Sequence, residues 1–576
     1  MLSKVKIFHG AMMVGLLLSA STTFAASYYV DYVGGLDSNK GTNTTVAWKH
    51  CPGDAVATGT AAATSLAPGD TVYFKGGVSY ILANSIMVKT NGTTGNPITY
   101  DGNTAGTWGT GRAIFTSPNA LIAFLAPGSL TNVNFRSLEL GPIGGATTLP
   151  ADTGVALPAK NGVGIYSMGA MSSVKIDNCY FHELGYWQNQ KPVGPGSIDG
   201  VGLRCLDSVG LTITNCEFTK VARACEMQSQ IITTNLVIAN CKFHDYIVWC
   251  IDLCVQANGC QRDGIYIHDC QFINNDWAYD ANHWTGYDTG PHQDGIFDRT
   301  DSVGFFRDGT NINFYNNLFQ TTVPNTIGGT ACMYLETGPQ ANIYNNVFLY
   351  HPVANACITY ACANRGQEPS TTLRIYNNTF ALNGGYPGIT ISGEEANNFD
   401  RLWDTNCLIY VQNNVFADFT TNNNNNSSLV LNTANTEVRS YLFFDYNCYL
   451  SYDGYVSPYF KNDTHAFLNS PGVFGQFGLA GMRFNGWETN GMAANPIFIN
   501  GGFTGSDLHL QTNSPCLTVG KNLSAVKLSG LSGDLDGKSR PTTGAWAMGA
   551  YQTSTAAVVP PVIPAPKPAT GLRMTN

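Results

Sequence analysis

Three charged side chains stand at one point of consecutive sequence repeats: Arg204, Glu226 and Asp252, each directly after an apolar residue, Leu203, Cys225 and Ile251. Stacked as parallel strands about 4.8 Å apart, the repeats would line a guanidinium and two carboxylates along one outward wall. Phe297 after Ile296 and Met333 after Cys332 would continue it. Two kinds of chemistry use such a set. Paired carboxylates cleave glycosidic bonds, with retention at about 5–5.5 Å separation and inversion at about 6.5–9.5 Å. Glu226 and Asp252, one strand apart, fit the shorter distance. Elimination from a uronic acid instead needs a base for the proton α to the carboxylate and a cation for the developing enolate. Lys220 or His292 could be that base, and Arg204 or Arg223 the cation. A surface ion ladder, worth little to stability, is the structural reading of the same column.

The longest insertion opens beside this wall. Residues 274–301 read NNDWAYDANHWTGYDTGPHQDGIFDRTD. Trp277, Trp284 and Tyr287 offer flat faces for sugar rings, Arg299 a cation, and His292 and Asp294 acid–base groups. Long loops on a rigid scaffold often carry function; the alternative is a loop whose aromatics pack on the scaffold. The expected acting groups are thus Asp252, His292, Asp294, Glu226 and Lys220. Arg204, Arg223, Trp277, Trp284, Tyr287 and Arg299 would hold substrate. The turns His182-Glu183 and His244-Asp245 add further titratable groups.

What must position these residues is a repeated phrase: apolar, any, apolar, any, Asn, Cys or Asn, any, Phe. It reads VKIDNCYF, LTITNCEF, LVIANCKF, IYIHDCQF, INFYNNLF, ANIYNNVF, LRIYNNTF and IYVQNNVF between residues 174 and 416, and a looser copy, FFDYNCYL, places Asn447 at the Asn position. The Asn positions recur at steps of 25 to 47 residues, so a fixed unit carries loops of different length. Alternation predicts a short strand with one face buried. Asn tolerates left-handed geometry and suits the bend that follows. Phe then points inward. A second short strand precedes each phrase (GVGLR, ACEM, CIDL and DGIFD among them). Such turns bury a continuous core only when stacked, which is a right-handed parallel β-helix. The regular Leu spacing of a leucine-rich repeat is absent, and a propeller needs longer, more even repeats.

Composition agrees. Only 12% of residues are charged and Gly numbers 62 among 576, as suits a turn-rich, strand-rich chain. The net charge of −9 argues against nucleic acid as partner, while a local basic patch would still accept an acidic polymer. Residues 1–26 read as a secretory signal, with Lys4 and Lys6 ahead of an apolar run and small residues near Ala25. That run is short for a membrane span, so no span is expected once the signal is removed, and the protein is expected to be secreted or periplasmic. Of sixteen Cys, Cys179, Cys216, Cys241 and Cys270 share one repeat position and are expected to be buried and reduced. Cys250, Cys254 and Cys260, and the pair Cys357 and Cys362, are better placed for disulfides. No convincing zinc set is present.

The Asn and aromatic ladders resemble those of the pectate-lyase-like superfamily. The segments YYVDYVGGLDSNKGT and APGDTVYF resemble the entry of many exported β-helix proteins, and DLHL, SP, DLDG, RP and GAY within residues 495–551 resemble their closing segment, with Cys516 and Thr518 replacing the commoner Ala and Asp. The expected layout is a signal at 1–26, an entry and cap at 27–110, the solenoid at 111–450, a closing region at 451–552 and a Pro-rich tail at 553–576. Asp31 and Asp37 could bind calcium or simply cap a turn. His292-Gln293-Asp294-Gly295-Ile296 resembles a turn at a rung entry in several β-helix proteins. The full acidic motif set of polygalacturonases and the Arg-centred motif of pectate lyases are absent. The resemblance implies a carbohydrate-active protein cleaving an extracellular acidic polysaccharide, as lyase or hydrolase. The alternative is a non-catalytic surface, adhesion or glycan-binding protein. Fold alone does not choose between them.

Overall fold

The computed structural model describes residues 25–144, 162–184, 200–246, 248–257, 260–274, 293–299, 309–321, 329–349, 356–361, 372–382, 388–392, 408–418, 429–432, 442–450, 479, 482–483, 486–501 and 506–552. Their strands wind into a parallel β-helix, in the right-handed sense that parallel crossover connections take. Each central rung has three strands. The first come from Val201–Val209, Arg223–Ser229, Trp249–Val255 and Gln293–Asp298, and the second from Thr212–Thr214, Ile232–Ala239, Gln261–His268 and Thr310–Tyr315. These join in one sheet of 25 strands, and the third strands form a sheet of 13.

The repeated phrase explains the corners. Asn178, Asn215, Asn240, Asp269, Asn316, Asn345, Asn377 and Asn413 all take φ between 52° and 60°, the left-handed region that Asn tolerates best after Gly. The inward Phe residues stack in register from Phe181 through Phe218, Phe243, Phe272, Phe319, Phe348, Phe380 and Phe416 to Tyr449, with ring centroids 4.5–5.3 Å apart. The ninth copy is shifted by one residue from its sequence alignment. Tyr446, at φ 58°, takes the corner, and Asn447 turns inward.

The position after each corner forms a second inner ladder that changes chemistry half-way. Cys179, Cys216, Cys241 and Cys270 are buried thiols, each donating to a backbone carbonyl nearby, as Cys270 Sγ does to His268 O at 3.2 Å. Cys270 N then meets Asn317 Oδ1 at 3.0 Å. From there Asn317, Asn346, Asn378 and Asn414 each donate Nδ2 to the next amide oxygen at 3.0 Å, ending on Asn447. All fourteen described cysteines are buried. Among the described residues no disulfide joins Cys250, Cys254 and Cys260. Cys362 lies outside the described residues.

The N-terminal end is closed by Trp48, fully buried and stacked on Tyr28 at 4.9 Å. The closing segment does not sit on the far end. It runs back along the flank. Asn345 Nδ2 donates to Gly533 O, Asn377 Nδ2 to Ala547 O and Asn413 Nδ2 to Lys521 O. Arg540 Nη2 reaches Asn345 Oδ1 at 2.9 Å. Tyr315, Tyr344 and Tyr376 pack against Leu523, Leu531 and Trp546. The outward face of the third sheet follows the same division. It carries Glu139, His182, Glu217, Lys242 and His244 in early rungs, and Val347, Leu349, Ala381, Val415 and Cys448 later, where Leu508, Leu510, Cys516 and Met548 cover it.

Candidate functional site

Strand register brings the charged column together. Tyr166, Arg204, Glu226, Asp252, Phe297 and Tyr334 are successive partners on the outward side of the first strands. The last step corrects the sequence alignment. A bulge between Gln293 and Asp294 shifts the register, so Met333 is the inward partner of Ile296 and Tyr334 the outward one. Sequence alone gives no warning of it.

Glu226 and Asp252 lie side by side on adjacent rungs, and each is held by an arginine. Arg204 Nε donates to Glu226 Oε2 at 2.5 Å, and Gln228 Nε2 to Glu226 Oε1 at 2.8 Å. Arg299, at the end of the strand Gln293–Asp298, grips Asp252 with two forked bonds, Nε to Oδ1 and Nη2 to Oδ2, both 3.0 Å. Glu226 is 3% exposed and Asp252 0%. Burial pushes Asp252 up to about 6, although Arg299 and Arg223 pull it down; Glu226 adds to the rise. Asp252 is therefore a carboxyl that takes up a proton at mildly acidic pH, beside Glu226 paired with Arg204.

Trp249, unmarked by the sequence reasoning, completes the wall. Its ring has the Arg223 guanidinium 4.9 Å from the centroid and that of Arg299 at 4.5 Å, and Phe297 packs beside it at 5.0 Å. Arg204 lies 5.8 Å from the Tyr166 ring. The signal was available, since Trp249 stands before Ile251 as Arg223 stands before Cys225. The wall gathers three guanidiniums, two of them ion-paired with Glu226 and Asp252, on a chain of net charge −9.

Asp294 is the strand partner of Trp249, buried, and accepts Ala331 N at 2.9 Å, a backbone contact between rungs. Its neighbour Asp298 is buried with Arg262 and Thr337. Other expected residues lie elsewhere. Lys220 sits at a corner with φ 52° and reaches Glu183 Oε1 at 3.2 Å, so it belongs to the charged face of the third sheet. There His182 lies between Glu139 and Glu183 at 3.3 and 3.4 Å, and His244 between Glu217 and Asp245 at 2.8 Å each. Trp277, Trp284, Tyr287 and His292 lie outside the described residues. Asp31 accepts from Lys75 Nζ, Val33 N and Gly34 N, and Asp37 from His50 N and Thr58 N, both as turn caps. Among the described residues no group of three or more His, Cys, Asp or Glu is placed to hold a metal ion.

No protein-family model matches the chain, and no curated protein matches it. Solved structures do. Pectate lyase Pel9A aligns over 92% of this chain and 98% of its own at 12% identity, with a TM-score of 0.41. A GH136 lacto-N-biosidase from Eubacterium ramulus aligns over 76% of this chain and 65% of its own at 12% identity and 0.42. PfbA, a surface adhesin of Streptococcus pneumoniae, aligns over 63% and 85% at 12% identity and 0.34. The fold is a parallel β-helix, as its strand register and inner ladders show independently of these likenesses. No helix among the described residues is long and apolar enough to cross a membrane.

Proposed function

We propose that this chain is an exported carbohydrate-active β-helix that binds an acidic polysaccharide along the first-strand wall and cleaves it there. The observation that carries this reading is the in-register pair Glu226 and Asp252, set among Arg204, Arg223 and Arg299 beside Trp249. The guanidiniums suit uronate or sulfate groups, and the indole suits a sugar ring. Asp252, whose carboxyl is raised to about 6, is the candidate general acid. Glu226 is the candidate nucleophile or base, in the one-rung spacing of a retaining pair. Trp277, Trp284, Tyr287 and His292 are proposed to wall the groove from the insertion. Asp294 and Lys220 are weaker members, given their backbone and Glu183 bonds.

A second reading has its own support. Asp252 has no exposed surface and both its oxygens are taken by Arg299, as in a wall that only binds. The test is a panel of neutral and acidic polysaccharides, followed for new reducing ends and for unsaturated-product absorbance. Reducing ends alone support hydrolysis. Both signals together support elimination, which moves the chemistry to an Arg and a base. Binding without cleavage supports the adhesive reading. An absence of both defeats the proposal.

A further inference from the structure

Four of the fourteen described cysteines are stacked in a way that prevents cross-linking. In the column Cys179, Cys216, Cys241 and Cys270, neighbouring side chains leave equivalent points of parallel rungs in the same direction, whereas a disulfide needs Cβ atoms that converge. Cys448 and Cys516 differ. Cys448 lies on the strand Cys448–Leu450 of the last full rung, facing outward as the partner of Val415. Cys516 belongs to the closing segment laid over that face. The Cys448 and Cys516 side chains meet in one apolar cluster, each fully buried. Neighbouring contacts fix both: Asn414 O accepts Cys448 N at 2.9 Å, Cys448 Sγ lies 3.3 Å from Ala494 O, and Cys516 O accepts Met548 N at 2.9 Å.

We infer that Cys448 and Cys516 are a disulfide site that fastens the closing segment to the last rung of the solenoid under oxidising conditions. Chemically, the Cys448 and Cys516 thiols lose two protons and two electrons and join through one S–S bond. The electrons reduce an external disulfide, such as oxidised glutathione, to two thiols. The loop so closed spans residues 448 to 516, long enough for a cross-link to restrict the unfolded chain appreciably. Burial makes the reduced pair slow to react once folded, so the bond forms during folding in an oxidising compartment rather than afterwards.

The experiment refolds the full chain in a glutathione redox buffer and, in parallel, in excess reductant. Free thiols are alkylated under acid denaturation and peptides are mapped by mass spectrometry. The expected result is one cross-linked peptide pair containing Cys448 and Cys516, two hydrogens lighter than the reduced pair. The ladder cysteines should be alkylated, and the oxidised sample should melt several degrees higher. Adding reductant should remove that shift, and Cys516→Ala should not show it. Recovery of Cys448 and Cys516 both alkylated from the redox buffer, or of either one linked to a different cysteine, overturns the inference. The peptide map of the unmutated chain decides this even if Cys516→Ala folds poorly.

Discussion

Asn447 donates through Nδ2 to Glu488 Oε1 at 2.6 Å, and its backbone N–H points to Oε2 at 3.3 Å. A side-chain amide ladder that always donates toward the next rung must finish on an acceptor. Glu488 is that acceptor, and its Oε1 also accepts a hydrogen bond from the Tyr449 hydroxyl at 2.7 Å. Burial pushes its carboxyl up to about 7, although the Tyr449 and Asn447 bonds work the other way. A folded-state value above the ordinary 4.5 means its contribution to stability is full below about pH 4.5 and is lost as pH rises through about 7. Glu488→Gln should remove that slope. Urea unfolding of both proteins across this interval should show the wild type losing roughly 3 kcal/mol relative to the variant. Parallel pH curves would count against the assignment.

Phe243 is buried between Phe218 and Phe272, at 5.2 and 4.9 Å. Truncating it opens a gap in the middle of the stack, where rungs on both sides are held in register. Phe243→Ala is expected to cost about 3–5 kcal/mol in chemical denaturation. A change below about 1 kcal/mol would mean the stack relaxes around the gap.

For the proposed site, Asp252→Asn should lower turnover on an identified substrate by about 10²–10⁴ if Asp252 is the general acid, with melting little changed. It should also remove the limb of the pH–rate profile near 6. Full retained activity would place the chemistry elsewhere on the wall.

His244, held by Asp245 and Glu217, is raised above the ordinary 6.5. Burial and Lys242 oppose its charge, and the bonds and charges of the two acids outweigh them. Its stabilising effect is therefore complete below about pH 6.5 and fades as pH climbs through the raised value. The stability gap between wild type and His244→Gln should narrow over that range. A gap constant with pH would show that His244 contributes only by packing.

Much of the fold was legible because its signal is local and repeated. Eight corner residues from Asn178 to Asn413, with Asp269 among them, have the backbone their type favours, and the Phe positions carry the register. Where a single residue broke the pattern, reading slipped by one: Tyr446 took the corner assigned to Asn447, and the bulge after Gln293 moved Met333 inward. The charged column was legible for the same reason. Trp249 was missed because it lies at a strand entry, outside the phrase. The path of the closing segment was not legible at all, since nothing local in residues 506–552 announces contact with Asn345, Asn377 or Asn413.

That path sets an order of assembly. Synthesis delivers the N-terminal rungs first, and Trp48 seals them at once. The early rungs present water with a charged third face and need no further cover. From Val347 onward the same face is apolar and stays bare until Leu508, Cys516 and Met548 have been made. The winding solenoid therefore passes through a long interval with an unsealed flank. Any lesion that keeps residues 506–552 from docking turns those rungs into a sticky surface, while the proposed polysaccharide wall further up stays intact.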